Sequence, residues 1–169
     1  MPLNRQAAVA YALKYALSFN PAYRRNTEND CTNFVSQSLL EGGWTMAGGN
    51  PDGSDRKSDS VWWYGKRTGW YFGENWSWTW ANAASFSRFL AVSGRAVRVT
   101  DPGQLDPADV IQMASGGHVH HSMIVTEKGA GGLKVSYHSS PERNIPLADV
   151  RARAPDETFL YWKLSNTNS

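Results

Sequence analysis

A chain of 169 residues, 41% of them hydrophobic and 19% charged, has the length and composition of one globular domain, which excludes a largely disordered protein. The net charge of +2 is small and Lys and Arg are scattered, so no nucleic-acid partner is expected. No stretch approaches the roughly 18 apolar residues of a membrane span, so no membrane partner is expected either.

The chain is expected to be a monomer formed by a single domain, residues 1–169. The first residues contain no uninterrupted apolar core, because Asn4, Arg5, Gln6 and Lys14 break it. We therefore expect no signal peptide in this chain, which leaves two possible locations: the cytoplasm, or export by a signal outside the chain. Because Cys31 is the single cysteine, the chain forms no internal disulfide, and its cysteine content does not indicate an oxidising compartment.

Two amphipathic helices are predicted in the first quarter of the chain. The apolar spacing from Asn4 to Ser18 is helical. The second helix has Cys31 on its apolar face and is closed by Gly42 and Gly43. Either Asn29 or Asp30 is suited to cap its start.

The segment at 44–78 is the least regular part of the sequence and carries most of the tryptophans. Seven of the eight lie between Trp44 and Trp80. Two fates are open for these rings: packing in the core, or forming a groove wall that stacks on sugar or peptide, with Trp78 as a candidate. A third helix is predicted from Thr79 to Val92.

Short β-like runs follow Gly94, separated by turn residues. They lie at 96–99, 109–114, 120–126, 133–139 and 158–164. Helices followed by strands indicate an α+β domain in which N-terminal helices pack on a C-terminal antiparallel sheet.

Cys31 has the placement of a nucleophile. Near the first turn of a helix it lies beside unpaired backbone N–H groups, which favour the thiolate and can also hold an oxyanion. A nucleophilic thiol needs a base, and four histidines are available. If the run beginning at His121 and the run ending near His138 pair as a hairpin, one hairpin supplies a base, His121, and a group that orients it, His138.

Four segments of the chain resemble the putative amidase domain family. They are RQAAVAYALKYAL with NPAYR, the block NDCTNFVSQSLLEGG, the stretch SWTWANAASFSRFL, and DPADVIQM with HHSMIVT and VSYHSS. Within them NDCTNFVSQ is the specific element, and HSMIVT strengthens it.

The resemblance implies a papain-like fold of the NlpC/P60 and CHAP type. We expect no cofactor and no metal. By position the resemblance makes Cys31 the nucleophile, His121 the base and His138 the third polar residue, and by analogy with related peptidases Tyr23 lines the oxyanion site. The implied reaction is hydrolysis of an amide or peptide bond through a thioester, with bacterial cell-wall peptides (peptidoglycan) as the first candidate substrate. One departure is Ala108, where the family usually has glycine.

Other interpretations stay open at this stage. Asp30, Asn29, Asn33 and Gln37 are each either structural or in contact with substrate or oxyanion. The same thioester chemistry also suits an acyl transferase or amide-forming enzyme of a biosynthetic pathway. A non-catalytic module that binds glycan or peptide is a rival, and so is a zinc hydrolase that uses His118 and His120.

Overall fold

The computed structural model describes residues 2–26, 28–50, 52–66 and 74–167. The helices are α1 (Arg5–Tyr15), α2 (Cys31–Glu41), α3 (Trp78–Ala81), α4 (Ala83–Val92) and α5 (Leu147–Arg153). The strands are β1 (Tyr64–Lys66), β2 (Glu74–Trp76), β3 (Ala96–Val99), β4 (Val110–Ser115), β5 (His118–Gly129), β6 (Gly132–Tyr137), β7 (Glu142–Pro146) and β8 (Thr158–Leu164). The predicted α+β class, with helices and an antiparallel sheet, is confirmed.

Helix α1 lies close against the end of α2 because the small residues Ala8 and Ala12 lie on its buried side, next to Tyr11. Asn4 caps it by accepting a backbone N–H bond of 3.0 Å. Ala8 is fully buried, and a Cβ placed on Gly42 would come within 2.9 Å of its methyl group. The helix ends at Tyr15, earlier than the predicted Ser18.

The third predicted helix is divided in two. Asn82 has extended backbone angles, φ −115° and ψ 127°, and its side chain accepts a bond of 3.0 Å from the N–H of Ser85. Asn82 therefore ends α3 and caps α4, because asparagine pairs with a free amide at a helix start more readily than it continues a helix.

The main sheet has the strand order β3-β8-β4-β5-β6-β7, and each neighbouring pair is antiparallel. The hairpin predicted between the histidine-bearing strands is formed by β5 and β6, from Ile124 opposite Ser136 to Gly129 opposite Gly132. A bulge in β5 opposite Met113 and Ala114 leaves His120 as the extra residue. The bulge lies in the segment that carries three histidines.

The sheet is covered on both faces. Helices α1, α2 and α4 pack on one face and α5 packs on the other. The first core includes Phe34, Val35, Phe86 and Ile124, and the second includes Met123, Val125, Leu147 and Val150. Neither β7 nor α5 was predicted, because both are short and lie among the turn-forming residues Pro141 and Pro146.

Most of the described tryptophans belong to the core. Trp44, Trp62, Trp63 and Trp80 are buried, whereas Trp78 is 43% exposed and Trp70 lies outside the described residues. The segment at 44–78 is also more regular than predicted, since it contains β1, β2 and a bridge between Ala47 and Trp62.

No helix in the described ranges is long and apolar enough to cross a membrane.

Candidate active site

Cys31 is the first residue of α2 and is fully buried against β5. Its thiol donates to the amide oxygen of Asn29 at 3.0 Å, and the sulfur lies 3.7 Å from the Thr32 hydroxyl. The backbone N–H groups of Thr32 and Ser122 are near enough to the sulfur to lower the pKa of the thiol. The thiol is therefore held between the start of a helix and the residue that follows His121 on β5.

The resting thiol is protonated. Burial raises the pKa of Cys31 above its ordinary value, and the neighbouring Asp30 carboxylate raises it further. Hydrogen bonds from Ser122 and Thr32 lower the pKa, but burial is the largest of these effects. Helix-start placement alone therefore does not supply a thiolate here.

Asp30 occupies the N-cap position of α2 but makes no side-chain capping bond. One carboxylate oxygen accepts from the Asn26 backbone N–H and from the Asn33 side-chain amide, each at 2.9 Å. The other oxygen lies 2.5 Å from Nδ1 of His138. Instead of capping the helix by its side chain, Asp30 connects the loop before α2 to the end of β6.

His138 is not bonded to His121, contrary to the prediction. Its Nδ1 faces Asp30, and its Nε2 lies 2.6 Å from the carbonyl oxygen of Tyr15. The ring is stacked on Phe34, with centroids 4.2 Å apart, and also contacts Phe19. Both ring nitrogens are occupied, so His138 has no free atom with which to orient the imidazole of His121.

His121 lies on β5 and points away from the helical layer. Its ring packs edge-on against Tyr137, with centroids 4.8 Å apart, whereas the next side chain, Ser122, contacts Thr32 at 2.9 Å on the helical side. In the described part of the chain, no hydrogen bond joins the imidazole of His121 to Cys31. The structure brings the backbone of His121 to the thiol, but not its ring.

Burial lowers the pKa of His121 to about 4, with a further lowering by His120 and an opposing effect of Glu157. The imidazole is therefore neutral at neutral pH, which is the protonation state that a general base requires.

His120 and Glu157 form a pair that the sequence did not suggest. Nε2 of His120 lies 3.0 Å from a carboxylate oxygen of Glu157, and the bulge in β5 is what turns His120 toward β8. His118 is exposed. No group of three or more His, Cys, Asp or Glu side chains within the described ranges is placed to hold a metal ion. The zinc interpretation of His118 and His120 thus finds no third ligand there.

The remaining candidates have mostly structural contacts. Tyr23 packs on Tyr64 and Trp80 with ring centroids 5.1 and 6.1 Å away, so its contacts are aromatic rather than with Cys31. Gln37 is buried and accepts from the Tyr11 hydroxyl at 2.6 Å. Asn33 accepts from the Trp80 indole N–H at 2.8 Å. Trp78 lies on the surface with Lys57 over its ring, at 5.1 Å.

An open surface cavity of about 350 Å³ adjoins the thiol through Asn29. Its lining residues are polar and charged: Arg24, Arg25, Asn26, Glu28 and Asn29. Asn29 is exposed and contacts both this cavity and the buried sulfur. The contacts of Cys31 therefore lead, through Asn29, to this cavity.

Three comparisons with known proteins bear on the site. Over residues 2–162 the chain matches the family described as the putative amidase domain. Two uncharacterized proteins of Bacillus subtilis (strain 168) are similar to it: YhbB, 33% identical over 98% of this chain and 46% of its own length, and YjcM, 31% identical over 91% and 35%. The chain thus spans less than half of these relatives. No solved structure matches it, so the papain-like relationship stays a prediction.

Proposed function

Because the chain belongs to the family of the putative amidase domain, we propose that it hydrolyses an amide or peptide bond with Cys31 as nucleophile and His121 as general base. The observation that carries the proposal is the position of the Cys31 sulfur at the start of α2, where the backbone N–H groups of Thr32 and Ser122 are near enough to lower the pKa of the thiol. Donors that contact the sulfur also stabilise the thiolate as it forms.

The reaction begins when His121 takes the thiol proton. The sulfur then forms a bond to the amide carbonyl carbon, and the carbonyl oxygen becomes an oxyanion held by backbone N–H groups at the start of α2. The C–N bond breaks, the amine leaves with the proton from His121, and a thioester remains on Cys31. Water, deprotonated by His121, releases the acid and restores the thiol.

The role of His121 requires a change in its side-chain rotamer. The amide nitrogen of Ser122, which is near enough to the Cys31 sulfur to lower its pKa, is covalently attached to the carbonyl carbon of His121. The backbone of His121 is thus already beside the thiol, but its Cβ points to the other face of the sheet, so moving the ring from Tyr137 to the sulfur needs a backbone change at the neighbouring bulge as well as a new rotamer. Its neutral state at neutral pH suits the proton transfer.

Substrate reaches the thiol through the cavity beside Asn29. Cys31 is fully buried in the resting structure, so the Asn29 side chain has to move aside. The lining of this cavity is polar, which suits a peptide with polar groups near the bond that is cleaved. Bacterial cell-wall peptides remain the first class to test, on the strength of the resemblance described above.

The proposal is tested with 4-nitrophenyl acetate, an activated acyl donor that needs no knowledge of the natural substrate. Nitrophenolate release is followed by absorbance, and the acetyl thioester by intact mass. Because the ester also acetylates amines, the thioester is identified by its release with neutral hydroxylamine, and Cys31 is the single cysteine that can carry it. Cys31→Ala should lose the acetyl adduct, and His121→Ala should slow its formation by about a hundredfold.

His118→Ala is the matched control, because His118 is an exposed histidine on the same strand. It should acylate at the wild-type rate. Equal acylation of the wild type and His121→Ala would overturn the assigned base. Absence of any adduct in the wild type, with this ester and with cell-wall stem peptides, would favour the non-catalytic binding module.

A further inference from the structure

The end of β6 and the start of α2 are joined by a buried pair, Asp30 and His138. Their side chains are only 5% and 3% exposed, and Oδ2 of Asp30 lies 2.5 Å from Nδ1 of His138. Phe34 stacks on the imidazole, and Phe19 contacts it from the loop that follows α1. A charge pair in such a place is kept only if each partner is well bonded.

The hydrogen bonds of His138 fix how many protons the pair holds. The carbonyl oxygen of Tyr15 only accepts, so Nε2 carries a proton and donates it at 2.6 Å. One further proton lies between Nδ1 and the carboxylate, since two facing lone pairs would repel at 2.5 Å. The pair as a whole is therefore neutral, whichever atom holds that proton.

Asp30 immediately precedes Cys31, and its charge acts on the thiol. A carboxylate beside a cysteine opposes formation of the thiolate, and Asp30 contributes to the raised pKa of Cys31. Two donors, Asn26 and Asn33, form hydrogen bonds to its other oxygen. Without a positive partner, this carboxylate would be a buried negative charge next to the nucleophile.

The turn after β6 is strained in a way that keeps His138 in place. Ser139 and Ser140 both have left-handed backbone angles, φ +65° and +62°, a conformation that is sterically unfavourable for an L-residue. Ser139 accepts a bond of 3.1 Å from the backbone N–H of Asp30. The strained turn thus keeps both His138 and Ser139 within hydrogen-bonding distance of Asp30.

Other charged groups around the pair are exposed. Lys14 lies over the ring of Tyr15 on α1, Arg25 lies 3.8 Å over the ring of Phe19, and Arg143 of β7 donates to a carbonyl of α1. All of these cations face solvent, where their fields are screened. Among the described residues, Asp30 is therefore the buried charged group that contacts His138.

We propose that His138 is a positioning residue that neutralises Asp30 and fixes it at the start of α2, so that a thiolate at Cys31 does not face an uncompensated carboxylate. This role differs from that of orienting the base, which the sequence suggested for His138. It rests on the proposed function in that Cys31 is taken as the nucleophile.

The test is the titration of Cys31, read from the ¹³Cβ shift of the single cysteine in protein labelled at that position. His138→Asn places an amide donor where Nδ1 lies and removes the positive charge. It should raise the apparent pKa of Cys31 by about one unit. The double variant Asp30→Asn with His138→Asn has neither charge, and its thiol should titrate close to the wild type.

Ser139→Ala is the matched control, because it removes a bond to Asp30 without changing a charge. Its thiol should titrate as in the wild type even if its thermal midpoint falls. If the role of His138 is purely structural, the pKa of Cys31 in the double variant should differ from the wild-type value at least as much as it does in His138→Asn. That result, or an unchanged titration in His138→Asn, would overturn the proposal.

Failure of this inference is distinguishable from failure of the proposed function. The thiol titration needs no catalysis, and it is informative even if the nitrophenyl ester leaves no adduct. Conversely, acylation could depend on Cys31 and His121 while the pKa of Cys31 does not change in His138→Asn. That result would support the proposed function and contradict only the role of His138. Circular dichroism of each variant establishes that the fold is retained.

Discussion

The thiol of Cys31 donates to the side-chain oxygen of Asn29 across 3.0 Å, and the two residues differ completely in exposure: Cys31 is fully buried and Asn29 is exposed. Asn29 thus bonds to the buried thiol and is itself exposed at the protein surface. Access to the nucleophile depends on how firmly this one side chain is held.

Asn29→Ala is expected to speed alkylation of Cys31 by iodoacetamide about five- to tenfold, since a hydrogen bond of this kind contributes about 1 kcal/mol. Asn29→Asp should slow alkylation, because a second carboxylate near the sulfur opposes the thiolate. The measurement is the rate of mass increase of the intact protein at constant pH.

Asn26→Ala serves as the control, since Asn26 lines the same cavity and bonds to Asp30 through its backbone. Its alkylation rate should stay at the wild-type value. If Asn26→Ala and Asn29→Ala speed alkylation equally, loosening of the whole loop explains the effect and the specific covering role of Asn29 is wrong.

Stability should fall with acidity because of His121. Its pKa is about 4 in the folded protein and near 6.5 in an unfolded chain, so the unfolded state binds more protons between these values. The stabilisation is present above pH 6.5 and is lost as pH falls toward 4. It should contribute roughly 2 to 4 kcal/mol to the free energy of unfolding, which urea titrations at pH 7 and pH 4 measure.

Carboxylates also titrate in this range, so the informative quantity is the difference between the wild type and His121→Asn. The variant should lose less stability than the wild type between pH 7 and pH 4. Parallel curves for the two proteins would mean that His121 is hydrated enough to titrate normally in the folded state.

Gly42→Ala should loosen the contact between α1 and α2. The new methyl group would lie 2.9 Å from the Cβ of Ala8 and 3.0 Å from a methyl of Leu3. Overpacking of this kind costs about 1 to 3 kcal/mol. Chemical denaturation measures the loss, and Gly131→Ala is the control because nothing lies within 4 Å of its added Cβ. Equal effects at both glycines would point to backbone flexibility rather than to packing.

The sequence predicted those parts of the site that depend on local pattern. The helix that begins at Cys31 follows from apolar spacing and from the glycines that end it, and the β5–β6 hairpin follows from alternation and turn residues. These features need only neighbouring residues, and for that reason they are predictable from one chain.

Long-range geometry was not predictable in the same way. The contact between Asp30 and His138 joins residues 108 positions apart and depends on the strained turn after β6. The direction of His121 depends on the bulge at His120, which simple alternation ignores. Ala108, where the resembled family usually has glycine, has a left-handed φ of +77°, the conformation that glycine adopts without steric cost.

Gln112 links the sheet to the helical layer directly behind Ser122. Its side-chain amide donates to the Ala83 carbonyl at 3.0 Å and to the Ser122 hydroxyl at 3.1 Å, and its oxygen accepts from the Trp162 indole at 3.0 Å. Gln112→Leu has a similar volume but leaves the Trp162 N–H and the Ala83 carbonyl buried without this partner. We expect a loss of about 2 to 3 kcal/mol in the free energy of unfolding.

The same change at an exposed position separates this effect from the general consequence of adding an apolar side chain. Gln104→Leu lies on the surface and should change stability by no more than about 0.5 kcal/mol. Both variants are compared by urea unfolding at neutral pH. A Gln112→Leu protein as stable as the wild type would show that Trp162 and Ala83 find other partners, and that the packing behind Ser122 does not depend on this polar link.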